Sequence, residues 1–117
     1  MPFDALVANP GRLRILTALA GAPRQPFVEL RRQTGLTDGN LSTHARRLES
    51  AGFIAIEKTI AAGKPLTTLH LTPRGRDALA AHAHALLRSL ESAAAAPAEP
   101  AAAIAANEGD YADDWVD

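Results

Sequence analysis

The sequence of 117 residues contains no cysteine, which excludes disulfides, thiolate metal sites and thiol redox chemistry within this chain. It has no apolar run long enough to cross a membrane, and its start, MPFDALVANPGRL, lacks the basic and then apolar order of a secretion signal. We therefore expect a cytoplasmic protein with no membrane partner. With 47% hydrophobic residues, the chain suits one domain with a single modest core.

Basic residues are absent from the last part of the chain. All 12 lysines and arginines lie between Arg12 and Arg88, and against the six acids of residues 1–90 they give that part a charge of +6. Residues 91–117 hold the other seven acids and no base, a charge of −7. A basic body with an acidic tail is typical of a nucleic-acid-binding domain with a solvated or regulatory extension. The alternative interpretation of this charge distribution is an ordinary protein surface followed by a disordered tail that only keeps the protein soluble.

Cap residues and leucine spacing predict three helices before residue 36. Residues 4–8 form a short helix, and Asn9 caps a second helix that begins at Pro10 and ends at Gly21. The segment GAPRQP is predicted to be a loop. The segment FVELRRQT after it is predicted to be a third helix, ended by Gly35 in the left-handed conformation.

The segment GLTDGNLSTHARRLESAGFI predicts a fourth helix with two distinct faces. Thr37 caps this helix, which runs from about Asp38 to Ala51. Apolar residues at helical spacing form the face expected to be buried: Leu36, Leu41, Ala45 and Leu48. Hydrogen-bonding and basic side chains form the other face: Asn40, Thr43, Arg46 and Arg47. Such a helix is anchored on one side and offers hydrogen-bond donors on the other.

After Gly52 the apolar period changes from 3.6 to 2, which predicts two strands. The alternating apolar residues are Ile54, Ile56, Ile60, Leu69 and Leu71. The turn AAGKP at residues 61–65 joins the strands into a hairpin with a Gly-Lys tip. Thr72 then caps a long last helix that begins at Pro73 and is apolar along one side.

This order of elements, and three segments in particular, resemble the winged-helix bacterial transcription regulators of the MarR and ArsR type, especially small single-domain members. The segments are LRILTALAG, FVELRRQTGLTDGNLSTHARRLESAGFI and LHLTPRGRDALAAH, and the resemblance covers roughly residues 5–90. It implies a mainly α fold with a β-hairpin wing, a winged helix-turn-helix with terminal dimerisation helices over residues 1–95. The implied function is sequence-specific binding of double-stranded DNA, as a dimeric repressor at an inverted repeat.

The chemistry of DNA recognition favours the same interpretation of the fourth helix. A helix in the major groove presents groups that bond to base edges, surrounded by basic and hydroxyl groups that hold phosphates. Asn40 suits adenine and Arg46 suits guanine, whereas Asp38 is expected to cap the helix or to accept from cytosine. Ser42, Thr43 and Arg47 can equally bind phosphate, and the start of the helix at Thr37 and Gly39 favours an approaching phosphate. The alternative is a solvated helix face that binds nothing.

The predicted hairpin offers a second contact through Lys58 and Lys64. Gly63 allows the tip to approach a DNA backbone closely, so the wing can reach the minor groove or its phosphates, as the wings of the resembled family do. A merely exposed turn is the alternative. Three further arginines are expected to extend the basic surface: Arg24, Arg31 and Arg32.

The last helix, from Thr72 to about Ala95, is too long for a body of about 85 residues to cover its whole apolar side. In the resembled family the terminal helices of two subunits pack together, which implies a seam of Leu6, Val7, Leu79, Ala83, Leu86 and Leu90. Such a homodimer places two reading helices one DNA turn apart, roughly 34 Å. The alternative is a helix that folds back on its own domain. The resemblance also implies that any small apolar or aromatic effector enters the cleft between the dimer helices and the DNA-binding lobe.

Other classes of function find little support in the sequence. His82 and His84 point in different directions on a helix, and no carboxylate pair or cysteine completes a metal site, so neither a metal nor another cofactor is expected. Ser42 and His44 lack an orienting acid, so an enzyme is not expected. The competing function is a winged helix that binds protein. The basic and polar face of the fourth helix favours DNA instead.

Residues 96–117 are predicted to be an acidic tail that is disordered or docked on the body. The segment NEGDYADDWVD places Tyr111 and Trp115 among carboxylates, although solubility alone requires no aromatic residues. One hypothesis is that the tail folds back onto the basic reading surface, with carboxylates in the place of phosphates and Trp115 in an apolar groove. The alternatives are an unbound tail and docking on a separate protein.

Overall fold

In a computed structural model of the protein, the described residues are 4–94, and they form five helices and one three-stranded antiparallel sheet. In chain order the elements are α1 (Ala5–Ala8), α2 (Pro10–Gly21), β1 (Arg24–Pro26), α3 (Phe27–Thr34), α4 (Asp38–Ser50), β2 (Ile54–Ala61), β3 (Lys64–Leu71) and α5 (Pro73–Ala94). The predicted tail, residues 96–117, lies outside the described residues.

Side-chain caps begin four of these helices, three of them at the predicted caps Asn9, Thr37 and Thr72, whereas Asp4 caps the short helix in which it was expected to lie. The side-chain oxygens of Asp4, Asn9, Thr37 and Thr72 each accept a hydrogen bond from a backbone N–H two or three residues ahead, at 2.9 to 3.1 Å. These bonds satisfy N–H groups that have no partner within the helix. Gly35 ends α3 with a φ of 73°, which confirms the predicted left-handed cap.

The core forms where α4 packs against α2 and the sheet. Leu41 and Leu48 of α4 are fully buried, and Ala45 between them is 2% exposed. They belong to one cluster with Ile15, Leu16, Leu19, Leu30, Leu36, Phe53, Ile54, Leu69 and Val7. Each fully buried leucine or isoleucine contributes roughly 1.5–3 kcal/mol relative to exposure. The predicted buried face of α4 is therefore confirmed.

The wing is a three-stranded sheet rather than the predicted two-stranded hairpin. β1 pairs antiparallel with β3, which gives the strand order β1-β3-β2. The predicted loop over GAPRQP is wrong at these residues, because a strand of three residues is too short to show an alternating pattern. Gln25 holds β1 in place: it is buried, and its Nε2 donates to the carbonyls of Ala18 and Ala22 at 2.8 Å.

The tip of the hairpin is the two-residue turn Ala62-Gly63, with φ values of 53° and 77°. Two positive φ values are typical of a turn that matches the twist of an antiparallel pair. Lys64 therefore starts β3, opposite Ala61, and the predicted Gly-Lys tip is shifted by one residue. Ile60 does not pack inward as its alternation predicts. It is 76% exposed, because the outer part of the hairpin, residues 58–65, extends beyond the core and is exposed throughout.

The junction of α5 with the end of α4 yields a test of this packing. A Cβ at Gly75 would overlap the backbone carbonyl oxygen of Phe53, which also accepts a hydrogen bond from Thr72 at 3.1 Å. We expect Gly75→Ala to lower the free energy of unfolding by about 2–3 kcal/mol, measured by urea denaturation.

Gly39→Ala is the matched control, since Gly39 also lies in a first helical turn and its Cβ would meet nothing within 4 Å. We expect this variant to be unchanged or stabilised by up to about 1 kcal/mol. Equal destabilisation by the two variants would contradict the described junction.

Candidate nucleic-acid interface

α4 presents polar and basic side chains on the side opposite the core. Thr43, Arg46 and Arg47 are exposed, and Asn40 and Ser42 are partly exposed. The helix has 13 residues, a length of about 20 Å at 1.5 Å per residue. Such a helix fits into the major groove of B-DNA, which is about 12 Å wide.

Ion pairing divides the basic residues of α3, α4 and the sheet into two sets. Three arginines outside α4 pair with acids: Arg24 with Glu57, Arg31 with Asp38, and Arg32 with Glu29. The hydrogen bond and the charge of Glu29 raise the pKa of Arg32. These pairs compensate the charges that we expected to extend the basic surface.

The second set lies on α4 and the wing. Within residues 4–94, no acid lies within ion-pair distance of Arg46, Arg47, Lys58 or Lys64. All four side chains belong to exposed residues. Their uncompensated positive charge favours a polyanion over a neutral ligand.

The expectation that Asp38 caps α4 is wrong, because Thr37 is the capping residue. The hydroxyl of Thr37 accepts from the Asn40 N–H at 3.1 Å, whereas the Asp38 carboxylate accepts from Arg31 Nη1 at 2.8 Å. This ion pair links the end of α3 to the start of α4. Both of its side chains are about half exposed or more, so it contributes little stability. The expectation that Asp38 reads cytosine stays a prediction.

A groove of about 640 Å³ lies between α4 and the sheet, and we name it the α4–wing groove. It is lined by apolar residues, which we name its floor, and by polar residues, which we name its walls. The floor consists of Phe27, Ala45, Ile56 and Leu69, and the walls of Ser42, Arg46, Glu49, Lys58 and Thr67. The floor is partly open, because Phe27 and Ile56 are only half-buried. The groove thus combines two basic side chains and one acid with an exposed apolar surface.

His44 is a structural residue of α4 that sequence reasoning missed. It is 5% exposed, and Nη1 of the buried Arg12 lies 3.3 Å from its Nδ1. The Nε of Arg12 also donates to the carbonyl of Leu6 at 2.6 Å, so one guanidinium joins α1, α2 and α4. Gly11 makes room for the ring, since a Cβ there would lie 2.7 Å from His44 Nε2. The sequence does contain a signal for the burial of His44. The residue follows Leu41 by three positions, which places it on the apolar stripe of the helix.

α5 extends beyond the part of the body that covers it. Ala85 is 8% exposed, whereas Leu86, Leu87 and Leu90 are 46%, 58% and 59% exposed. Among the predicted seam residues, Ala83, Leu86 and Leu90 are exposed, and Leu6 and Leu79 are partly buried against the core. Val7 is fully buried in the core of this single chain, so its side chain is not available to a second subunit. Leu87 lies on the apolar side of this helix, but the predicted seam does not include it.

A second cleft, of about 1020 Å³, lies between α2 and α5. Its lining includes the apolar Leu13, Ala18 and Leu86 and the polar Arg14 and Gln33. Within residues 4–94, no helix is long and apolar enough to span a membrane, and no group of three acids or histidines is arranged to hold a metal ion.

Comparison with known proteins identifies the family. Residues 12–90 match the family described as winged helix DNA-binding domain, and the chain belongs to this family. An uncharacterized protein of Methanocaldococcus jannaschii is 34% identical over 77 residues, which are 66% of this chain and 84% of that protein.

Solved structures confirm the winged-helix fold. The transcriptional regulator homologue of Pyrococcus horikoshii OT3 is 29% identical, with a TM-score of 0.72 over 76% of this chain and 88% of that chain. A MarR-family transcriptional regulator from Silicibacter pomeroyi is 19% identical, with a TM-score of 0.60 over 75% of this chain and 58% of that chain. The fold is the predicted winged helix, and both of these solved proteins are described as transcriptional regulators or homologues of them.

The contact of Arg12 with His44 yields a prediction about stability. Arg12→Met keeps an apolar stem but removes the donor from the Leu6 carbonyl and from the buried face of α4. We expect it to lower the free energy of unfolding by about 2–3 kcal/mol, measured by urea denaturation. Arg76→Met, at an exposed position on α5, is the control and is expected to change stability by less than about 0.5 kcal/mol. Similar losses in both variants would contradict a structural role for Arg12.

Proposed function

We propose that the protein is a sequence-specific repressor that binds double-stranded DNA as a homodimer at an inverted repeat. One observation carries the proposal: α4 is anchored by a buried apolar stripe, while Arg46 and Arg47 stand exposed on its other side without an acid partner in residues 4–94. Membership of a winged helix DNA-binding family supports DNA as the ligand. A dimer bound across its operator represses by occlusion.

Arg46 and Asn40 are the side chains that we assign to base readout. A guanidinium can donate two hydrogen bonds to O6 and N7 of guanine, and an amide can pair in the same way with N6 and N7 of adenine. The start of α4 and its hydroxyl groups are assigned to phosphates: Thr37, Gly39, Ser42 and Thr43. Arg47 is assigned to phosphate as well.

The wing is assigned to the DNA backbone beside the major groove. Lys58 and Lys64 are exposed on the hairpin, and a Cβ at Gly63 between them would meet nothing within 4 Å, so the tip has room to approach a phosphate chain. Phosphate contacts position a protein on DNA without reading its sequence. The wing therefore adds affinity and salt dependence rather than specificity.

Base readout by Arg46 predicts a selective loss of affinity. Arg46→Ala should weaken binding to the preferred duplex by about 1–3 kcal/mol and relax the preference at one base pair. Fluorescence anisotropy on the duplex selected by the wild-type protein, and on its single-base variants, measures both effects.

Lys64→Ala is the matched comparison, because Lys64 is exposed and assigned to phosphate. It should weaken binding to specific and random duplexes alike and reduce the slope of log affinity against log salt by about one unit. If Arg46→Ala behaved in the same way, Arg46 would be a phosphate contact and the assignment of base readout would fail.

The dimer seam is assigned to the outer half of α5. Leu86, Leu87 and Leu90 form an exposed apolar surface there, and contiguous apolar patches on soluble proteins commonly mark interfaces. The small side chain of Ala83 allows another helix to approach closely. Leu6 and Leu79 border this surface where α1 and α5 meet the body, and Val7 is not part of it.

Leu90→Asp tests the seam. A twofold interface brings the two copies of a residue near each other, so the substitution buries like charges and should raise the dissociation constant of the dimer at least about 100-fold. Sedimentation equilibrium measures it. Val28→Asp is the control, since Val28 is 63% exposed on α3, away from α5. A dimer that survives Leu90→Asp would contradict a seam on α5.

The cleft between α2 and α5 is the site that we assign to a small apolar or aromatic effector. Its volume of about 1020 Å³ suits a small molecule, and Arg14 and Gln33 supply polar groups beside apolar walls. An occupant would lie between the seam helix and the lobe that carries α4. Binding there would change the angle between the two reading helices, and thereby the affinity for DNA.

A further inference from the structure

The α4–wing groove has an apolar floor that contact with DNA does not explain. A phosphate backbone requires cations and hydroxyl groups, and Arg46, Lys58 and Ser42 on the walls supply them. Phe27 and Ile56 on the floor remain partly exposed and offer nothing to a phosphate. An aromatic side chain flanked by carboxylates fits both the floor and the basic walls.

The chain itself contains such a segment beyond α5. Residues 95–117 hold six acids and no base, together with Tyr111 and Trp115, the single tyrosine and the single tryptophan of the protein. Asp113 and Asp114 directly precede Trp115, so an aromatic ring and two carboxylates are adjacent in the sequence.

The segment is long enough to return to the groove. α5 has 22 residues, a length of about 33 Å at 1.5 Å per residue. The 12 residues from 95 to 106, which precede the acidic and aromatic segment, span up to about 40 Å when extended. This connection can therefore run back along the whole helix towards α4, and the segment that follows it extends the reach further.

We propose that residues 107–117 bind in the α4–wing groove of their own chain and exclude DNA from it. Trp115 lies on the apolar floor, and Asp113 and Asp114 neutralise Arg46 and Lys58. Glu49 on the wall repels a carboxylate, which favours the uncharged indole for the floor beside it. The consequence for DNA rests on the proposed function, whereas the docking itself does not.

Weak docking suffices for control because the segment is tethered. A flexible connection gives an effective concentration of about 1 mM, so a groove affinity of about 0.1 mM fills the groove roughly nine-tenths of the time. The apparent affinity for DNA then falls about tenfold, because only the open fraction binds. Salt weakens the docking, since its charges are partly exposed to solvent.

The fluorescence of Trp115 tests the docking without DNA. In the full-length protein we expect Trp115 to be protected from acrylamide and to become accessible in Lys58→Glu. Lys64→Glu is the matched control, because Lys64 lies at the start of β3, next to the hairpin turn, and does not line the groove, so Trp115 should stay protected. A Trp115 that is freely quenched in the wild-type protein, or that stays protected in Lys58→Glu, would overturn the proposal. So would protection that disappears on dilution, since the occupied groove would then belong to another copy.

Autoinhibition is tested separately by DNA affinity. In the full-length protein, Trp115→Ala should tighten DNA binding about tenfold at low salt and by less at high salt. Ile104→Ala, a tail substitution outside residues 107–117, should leave the affinity unchanged. Equal affinities for Trp115→Ala and the wild-type protein at both salt concentrations would overturn the autoinhibition. If neither protein bound DNA, the proposed function would fail while the fluorescence result still decided the docking.

Discussion

The packing of α4 on α2 determines the surface that this protein presents. Leu41 and Leu48 are fully buried in the core, so α4 cannot rotate about its axis without exposing them. Each exposure would cost roughly 1.5–3 kcal/mol, and the contact of His44 with Arg12 resists the same rotation. Arg46 and Arg47 must therefore face solvent. A reading helix needs such rigid presentation, because base contacts require donors at fixed positions.

The distribution of charge follows from the same arrangement. Arginines on α3 and β1 are paired with acids, whereas the exposed basic residues of α4 and the β2–β3 hairpin have no acid partner within residues 4–94. The formal net charge of the whole chain is −1, because an acidic tail follows the basic body. The opposite charges of body and tail favour the contact proposed above.

Local signals in the sequence predicted most of the fold, and residues whose role depends on distant partners were misjudged. Caps such as Thr37 act over three residues, and the leucines of α4 report burial by spacing alone, so both were readable. β1 depends on pairing with β3, and its three residues carry no pattern. His44 is a polar residue on an apolar stripe, stabilised by Arg12, 32 positions earlier. Val7 was assigned to a dimer seam, because apolar character alone does not distinguish a core residue from an interface residue.

Hydroxyl-radical footprinting of the full-length protein on its selected duplex tests the central claim most directly, since it reports both the position and the symmetry of binding. The account predicts two protected segments related by a twofold axis, with centres about 10 base pairs apart, and loss of both segments together as the protein is diluted. Protection of a single half-site by a monomer, or uniform protection with no preferred position, would contradict it.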